Sequence, residues 1–179
     1  MAIGAMIHTF TVQLADMDRG VYDDLTLRVA KHPSETDAYM LTRVLAYCLE
    51  HTEGIAFSEG LSSTDKPAIV VRDLTGSITA WIEIGAPDAE RMHFGSRAAS
   101  RTVVYTHRDP IKVVAAWEGK RIHDADAIRV YGFDPGFIDA GTQALERRNA
   151  ATLTVTEAQL YLDLNGTPLE STLHEHRIV

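Results

Sequence analysis

The chain has 179 residues, of which 45% are hydrophobic and 23% charged, and its formal net charge is -8 at pH 7. This length suits one domain over residues 1–179, and the composition is that of an ordinary soluble globule. The sequence lacks an apolar run of 18 residues and a signal-peptide pattern, so we expect a cytoplasmic protein with no membrane partner. The negative charge argues against a general nucleic-acid binder, which usually has a basic surface.

The N-terminal part of the sequence predicts two strands and then a helix. Polar and apolar residues alternate over 7–14 and 23–30, with a turn between the two runs. Ser34 precedes Asp37 by three residues, a capping-box pattern that predicts a helix with Ser34 as its N-cap. Glu35 would then be the first helical residue, where a carboxylate favours the helix dipole. The apolar residues of this helix recur at helical spacing: Met40, Leu41, Val44, Leu45, Cys48 and Leu49.

The middle of the sequence predicts a β-hairpin that contains an unusual carboxylate. Residues 68–72 form a β-branched run, residues 78–84 alternate in polarity, and Asp73-Leu-Thr-Gly76 supplies the turn. Glu83 lies inside the second, apolar strand, and removing the partner of such a buried charge costs on the order of 3–5 kcal/mol. We therefore expect Glu83 to have a polar partner.

The remaining sequence alternates between helices and strands without an internal repeat. The predicted elements are a helix over 89–99 after Pro87-Asp88, a buried strand over 101–105, a helix from Asp109-Pro110 to Trp117, a strand over 127–133, a helix over 136–148, and strands over 151–155 and 159–164. Asn165-Gly166 is a hairpin signal that predicts one more short strand. The terminal His174-Glu-His176 predicts a frayed end rather than a metal site. Together these elements predict an α/β fold with a mixed β-sheet flanked by helices.

Several short blocks of sequence are more specific than this outline. They are Ala15-Asp-Met-Asp-Arg19, His32-Pro-Ser-Glu-Thr36, Arg72-Asp-Leu-Thr-Gly76, Trp81-Ile-Glu-Ile-Gly85 with Pro87-Asp88 after it, and Val103-Val-Tyr105. Through these blocks the chain resembles the YaeQ family over nearly its whole length. The resemblance implies a PD-(D/E)xK restriction-endonuclease-like core with extra N- and C-terminal strands, and it supplies no established reaction.

The nuclease pattern that the resemblance implies is incomplete in this sequence. Nucleases of that fold hold a divalent metal, usually Mg²⁺, with acids on adjacent strands, and a lysine two residues past the second acid stabilises charge. Glu83 matches the second acid, but Gly85 stands at the lysine position. The hairpin register, counted from the turn, places Glu83 opposite Pro67 and beside Ala68, where the first acid is expected. The site therefore looks degenerate, and whether the protein is an enzyme stays open.

Other residues could replace the missing ligands of such a site. The resemblance implies an acid brought by the first helix, and Glu35 is at that position. Asp65 precedes the hairpin, and His93 in the following helix could act as a base or contact a phosphate. The catalytic candidates are thus Glu83, Glu35 and His93. The candidate ligands for Mg²⁺ or Mn²⁺ are Glu83, Glu35 and Asp65.

Basic residues are concentrated in one segment of the chain. Residues 91–121 contain seven Lys or Arg against two acids, a local excess of five positive charges. This segment is either a solvated helix face or a surface that meets phosphate. In the nuclease-like fold the helix after the Glu strand borders the substrate groove, which makes Arg91, His93 and Arg97 candidates for nucleic-acid contacts. His93 and Arg97 share one side of that helix.

Two functions are compatible with this pattern of residues. The first is a degenerate nuclease-like site with a non-catalytic binding role, in which nucleic acid is a weak candidate partner. The alternative is a metal-dependent nuclease or phosphodiesterase with a rearranged site of Glu35, Asp65, Glu83 and His93. An acid in place of Ala68 would favour the alternative.

Overall fold

The computed structural model describes residues 4–58 and 66–178 of the chain. Within these ranges it contains two mixed β-sheets with helices packed against them, so the predicted mixed α/β fold is confirmed. Contacts between residues divide the chain into two compact units. The first unit comprises Met1–Val44 and Phe133–His174, and the second comprises Leu45–Gly132 and Glu175–Val179.

The strands and helices follow one another along the chain without a repeat. Among the described helices, none is both long and apolar enough to cross a membrane. In chain order the elements are β1 (Met6–Asp16), β2 (Val21–Lys31), α1 (Asp37–Leu49), β3 (Ile55–Phe57), β4 (Ile69–Arg72), β5 (Ile78–Ile84), α2 (Ala89–Ala98), β6 (Arg101–Tyr105), α3 (Pro110–Ala115), β7 (Arg129–Gly132), α4 (Phe137–Ala144), β8 (Arg148–Thr156), β9 (Gln159–Leu164), β10 (Thr167–Thr172) and β11 (His174–Arg177).

The first unit is built on a five-stranded sheet in the order β10-β9-β8-β1-β2. Strand β1 pairs antiparallel with β2 and parallel with β8, which makes the sheet mixed. Alternate residues of β1, such as Phe10, Val12 and Leu14, are buried, as the alternation in the sequence predicts. Asn165 and Gly166 join β9 to β10 with φ angles of 53° and 88°, the positive values of a type I′ turn.

Helix α4 approaches α1 closely inside the first unit. An added Cβ at Gly141 would lie 2.5 Å from Cδ2 of Leu41. Because real Cβ atoms do not approach another carbon this closely, a larger residue at this position would require the end of the Leu41 side chain to move.

The second unit is built on a six-stranded sheet in the order β11-β7-β6-β5-β4-β3. Strands β5, β6 and β7 are parallel to one another, whereas β3, β4 and β5 form an antiparallel meander. Helices α2 and α3 pack on one face of this sheet. The core under them consists of Met92, Val104, Val113, Trp117, Ile128 and Val130. This face also carries Trp81, because an added Cβ at Gly95 of α2 would lie 2.6 Å from its Nε1.

The predicted start of the first helix is wrong by several residues. The hydroxyl of Thr36 accepts a hydrogen bond from the backbone N–H of Tyr39 at 3.1 Å, so Thr36 caps α1. The hydroxyl of Ser34 instead lies 2.7 Å from Nδ1 of His32. Glu35 consequently lies in the turn before the helix and not at its first position.

The predicted hairpin register is wrong by one residue. The turn forms as expected, with the N–H of Asp73 donating to the carbonyl of Ser77 at 3.0 Å. A bulge between Val71 and Arg72 then shifts the pairing, so that Ile69 lies opposite Ile82. Continued by one residue, this register places Ala68, rather than Pro67, opposite Glu83.

Two predictions near the C-terminus are also wrong. Helix α4 ends at Ala144 instead of continuing to 148, because Arg148 already begins β8. Residues His174–Arg177 form the edge strand β11 next to β7, where a frayed end was expected. Nε2 of His174 lies 2.6 Å from Oδ1 of Asp134, which anchors the start of this strand.

The close approach of α2 to β5 predicts that Gly95→Ala destabilises the protein by about 1–3 kcal/mol, because the new methyl group overlaps the buried indole of Trp81. Helix propensity alone would give a gain of about 1 kcal/mol. Urea unfolding measures the difference. Ala98→Gly, at an exposed position of the same helix, serves as a control and should lose only about 1 kcal/mol. A more stable Gly95→Ala protein would show that the packing can relax.

Candidate functional site

Glu83 is a buried carboxylate of β5 whose two oxygens both have partners. Glu83 is only 4% exposed to solvent. Nε1 of Trp81 donates to Oε1 at 2.7 Å, and Nε of Arg91 donates to Oε2 at 2.8 Å. Trp81 reaches the carboxylate because residues two apart on a strand point to the same face. The predicted polar partner is therefore present, and it is an arginine supported by a tryptophan.

Arg91 is positioned by the first turn of α2. The side chain of Asp88 caps this helix by accepting the backbone N–H of Arg91 at 2.8 Å. The guanidinium also donates, through Nη2, to the backbone carbonyl of Lys66. The guanidinium of Arg91 therefore joins Glu83 to the chain just before β4. Ala68, which lies opposite Glu83 in the hairpin, belongs to the same part of the chain.

Burial dominates the electrostatics of this carboxyl group. It raises the pKa of Glu83, while the hydrogen bond and the charge of Arg91, and the hydrogen bond from Trp81, act in the opposite direction. A fixed positive group at hydrogen-bonding distance offsets only part of the cost of placing a charge in a low-dielectric site, so the pKa stays raised. The charge of Glu83 is thus neutralised inside the protein.

A divalent metal does not fit the residues around Glu83. Such an ion needs about six oxygen ligands, whereas both oxygens of Glu83 already accept hydrogen bonds. Ala68 offers no ligand beside it, and the guanidinium of Arg91 would repel a cation. Over residues 4–58 and 66–178, no three His, Cys, Asp or Glu side chains are grouped so that they could hold a metal. Asp65, a candidate ligand from the sequence, lies outside the described residues.

Glu35 belongs to the first unit and has an arginine of its own. Nη2 of Arg43 donates to its Oε2 at 2.8 Å and to the backbone carbonyl of Ala30 at 3.1 Å. Burial raises the pKa of Glu35, and the neighbouring Arg43 opposes that shift. The ion pair joins the end of β2 to α1. The arrangement gives Glu35 a structural contact within its unit.

His93 holds a loop against α2. Its Nδ1 accepts the backbone N–H of His123 at 2.9 Å. One turn further along the helix, the hydroxyl of Ser96 donates to the carbonyl of the same residue at 2.5 Å. These two hydrogen bonds attach the segment around His123 to the outer side of α2.

The attached segment brings further cations to the helix. Lys120 and Arg121 precede His123 by three and two residues, and both are exposed. Arg97 is exposed on α2 one turn after His93. Arg97, Lys120 and Arg121 are therefore carried by two segments that hydrogen bonds hold together, and we refer to these three residues as the basic surface. The sequence placed all three residues in one basic segment, and it named only Arg97 among them as a candidate for nucleic-acid contacts.

Glu50 is a further buried carboxylate, and the sequence did not indicate it. Glu50, one residue past α1, accepts a hydrogen bond from Nη2 of Arg101 at 2.9 Å and from the hydroxyl of Tyr105 at 2.7 Å. The ring of Tyr105 stacks on Tyr131 at 5.1 Å, and the hydroxyl of Tyr131 donates to Glu175 at 3.2 Å. Burial, followed by the charge of Glu50, raises the pKa of Tyr105 well above its usual range. The hydroxyl of Tyr105 therefore stays protonated and the guanidinium of Arg101 stays charged. Groups that do not change their protonation are better suited to a structural link than to acid–base chemistry.

The fold and the site together define a mixed α/β protein with a buried, internally neutralised glutamate. The family model described as YaeQ protein matches residues 1–173 of the chain. The chain belongs to the YaeQ family, as the sequence blocks around His32 and Trp81 indicated.

Individual relatives agree with this assignment. The crystal structure of YaeQ protein from Xanthomonas axonopodis pv. citri is similar with a TM-score of 0.85 and 26% identity, over 98% of this chain and 99% of that one. The structure of YaeQ protein from Pseudomonas syringae gives 0.84 and 27%, over 96% and 95%. The YaeQ proteins of Escherichia coli (strain K12) and Salmonella typhi are each 36% identical over 107 residues. That match spans 60% of this chain and 59% of those relatives.

The raised pKa of Glu83 predicts how stability depends on pH. The folded protein binds this proton more tightly than the unfolded chain, in which the carboxyl titrates near 4.5. The contribution of Glu83 to stability is therefore complete below that pH and is lost as the pH rises through the folded pKa. Urea unfolding of the wild type and of Glu83→Gln should show a difference that changes in this direction as the pH is raised from below 4.5. A difference that stays constant would show that the pKa is not raised.

Proposed function

We propose that the protein is a non-catalytic, weakly nucleic-acid-binding member of the PD-(D/E)xK nuclease-like fold. In this proposal the metal site of the fold is degenerate, and the basic surface supplies the contact with phosphate. The observation that carries the proposal is the pairing of Glu83 with Arg91 and Trp81. These partners occupy both oxygens of the carboxylate that a nuclease would present to its metal.

The permanent charge of Arg91 supports the loss of metal chemistry. A guanidinium stays protonated throughout the physiological pH range, and this one is held by Glu83 and by the carbonyl of Lys66. A metal that bound Glu83 would have to displace it, and breaking a buried ion pair costs on the order of 3–5 kcal/mol. That cost corresponds to a metal affinity about 10²–10⁴-fold weaker.

The two positions at which the nuclease pattern expects an acid and a lysine, Ala68 and Gly85, do not supply the missing catalytic groups. Ala68 has no ligand atom in its side chain, and Gly85 has no side chain with which to position a water. Phosphoryl transfer depends almost entirely on positioning and on electrostatic stabilisation. A single carboxylate that is already neutralised supplies neither, which favours a binding role over a catalytic one.

The basic surface supports nucleic acid as the partner in this role. Its three cations are exposed. The two segments that carry them are joined by the hydrogen bonds of His93 and Ser96 to the backbone of His123. Such cations bind phosphates by releasing counterions, without requiring a particular base sequence. The net charge of -8 opposes the approach of a polyanion. The expected binding is therefore weak and strongly dependent on salt.

The degenerate site predicts weak metal binding and no cleavage. Calorimetric titration of the wild type with Mg²⁺ and Mn²⁺ should give no binding tighter than about 1 mM, because Arg91 must be displaced first. Parallel assays with single- and double-stranded DNA and with RNA should show no metal-dependent cleavage. Micromolar Mn²⁺ binding that Glu83→Ala abolishes would establish the alternative, a nuclease with a rearranged site.

A pair of variants provides the control for the metal titration. Ala68→Asp combined with Arg91→Ala puts a second carboxylate beside Glu83 and removes the competing cation, so Mn²⁺ binding should become at least about tenfold tighter. Ala68→Asp alone keeps Arg91, which can pair with the new carboxylate, and should gain little. Equal gains in both variants would show that Arg91 does not block the site. Circular dichroism of each variant verifies that it is folded.

The basic surface predicts salt-sensitive binding of oligonucleotides. Three phosphate contacts imply a slope of about -2.7 in a plot of log affinity against log salt concentration on duplex DNA. Fluorescence anisotropy with labelled single- and double-stranded oligonucleotides, at several salt concentrations, measures this slope. Arg97→Ala with Arg121→Ala should reduce its magnitude by about 1.8, since each lost contact removes about 0.9.

The matched control for this pair removes the same charge elsewhere. Arg28→Ala with Arg148→Ala changes two exposed arginines of the first unit and should leave the slope unchanged. Equal losses in the two double variants would mean that only the overall charge matters. Binding that does not respond to salt would rule out the basic surface as the phosphate contact.

A further inference from the structure

The loop that carries Lys120 and Arg121 is attached to α2 by a hydrogen bond that depends on the charge of a histidine. Nδ1 of His93 lies 2.9 Å from the backbone nitrogen of His123. A backbone N–H can only donate, so Nδ1 must be the acceptor and must carry no proton. The observed contact therefore requires His93 to be neutral, with its hydrogen on Nε2.

Protonation of His93 would turn this attraction into a repulsion. The imidazolium carries hydrogen on both ring nitrogens, so N–H would then face N–H across the same short distance. Histidine is the side chain that ordinarily changes charge between about pH 5 and pH 8. The attachment therefore depends on the protonation state of His93.

We propose that His93 is a pH-sensitive clamp that holds the 119–124 loop against α2 when neutral and releases it when protonated. The clamp concerns the loop itself; its relevance to nucleic acid rests on the proposed function, because the loop carries two of the three cations of the basic surface. Release would separate Lys120 and Arg121 from Arg97 on the helix.

The loop has features besides His93 that determine how far it can move. Gly119 and Asp124 bound it with φ angles of 73° and 46°, and the second of these is a left-handed conformation that costs energy for a residue other than glycine. Ile122 packs against the core under the helices, and Ser96 keeps its hydrogen bond to the carbonyl of His123. Protonation therefore loosens one attachment point while these others limit how far the loop moves.

The charges around the clamp act in both directions. On α2, Glu90 lies three residues before His93 and Arg97 lies four after it. On the loop, Nε2 of His123 lies 3.3 Å from Oδ2 of Asp124, and Lys120 and Arg121 come just before. Glu90 and Asp124 favour protonation of a nearby imidazole, whereas the cations disfavour it.

Two substitutions of His93 distinguish the effect of its hydrogen-bond acceptor from the effect of its protonation. A third substitution, of His123, serves as a control. In His93→Asn the carboxamide oxygen can occupy the place of Nδ1, so the acceptor is kept but no longer titrates. In His93→Phe the ring is kept and the acceptor is lost at every pH. His123→Gln keeps the backbone donor and removes the other histidine that could titrate in the loop.

Amide hydrogen exchange of His123, followed by NMR between about pH 5 and pH 8, tests the clamp. After correction for intrinsic exchange, protection in the wild type should fall by about tenfold as the pH is lowered, which is the effect of losing one hydrogen bond. His93→Asn should stay protected throughout, His93→Phe should be unprotected throughout, and His123→Gln should behave like the wild type. In His123→Gln the monitored amide is that of the substituted residue.

Two results would overturn the clamp. Protection that does not change with pH in the wild type would show that the loop is held by its other contacts. A pH dependence that persists in His93→Asn would assign the effect to a different group. Because exchange is measured without nucleic acid, its outcome is independent of oligonucleotide binding. A pH-dependent loop in a protein that binds no oligonucleotide would refute the proposed function and leave the clamp standing.

Discussion

The ion pair between Glu83 and Arg91 is the constraint on which the second unit depends. A buried carboxylate must be neutralised or its unit loses several kcal/mol of stability. Here the neutralising group comes from α2, so the pair fixes that helix against β5 and against the chain before β4. The close contact of Gly95 with Trp81 is possible only in that position. The same ion pair engages one oxygen of the Glu83 carboxylate, and the indole of Trp81 engages the other.

Periodic patterns in the sequence predicted most elements of the fold, and local hydrogen-bond competition explains the failures. Burial on both faces made the strand at 101–105 recognisable, and Asp88 caps α2 where the Pro-Asp pair indicated. The hairpin register failed because a bulge at Val71 leaves no signal in the alternation of polar and apolar residues. Ser34 and Thr36 are both favourable N-cap residues, and in the structure Thr36 caps the helix while the hydroxyl of Ser34 contacts His32. No composition rule could reveal that.

The candidate site was predictable in one respect and unpredictable in another. A lone carboxylate in an apolar strand identified Glu83 as the residue to explain, and it predicted the polar partner that the structure contains. Its actual partners required three-dimensional information, since Arg91 is assigned only by the way α2 packs. Glu50 shows the limit clearly, because its partner Tyr105 is 55 residues away and no spacing connects the two. Long-range contacts of this kind follow from packing and have no local signature.

The environment of Trp81 has an optical consequence. The chain contains two tryptophans, Trp81 and Trp117, and both lie in the second unit with their indole N–H groups bonded, to Glu83 and to the carbonyl of Pro87. Phe94 lies edge-on to Trp81 with ring centres 5.5 Å apart. Tryptophan emission therefore reports on the second unit alone, whereas far-ultraviolet circular dichroism reports on both. Comparing the two signals during unfolding would reveal whether the units lose their structure together or one after the other.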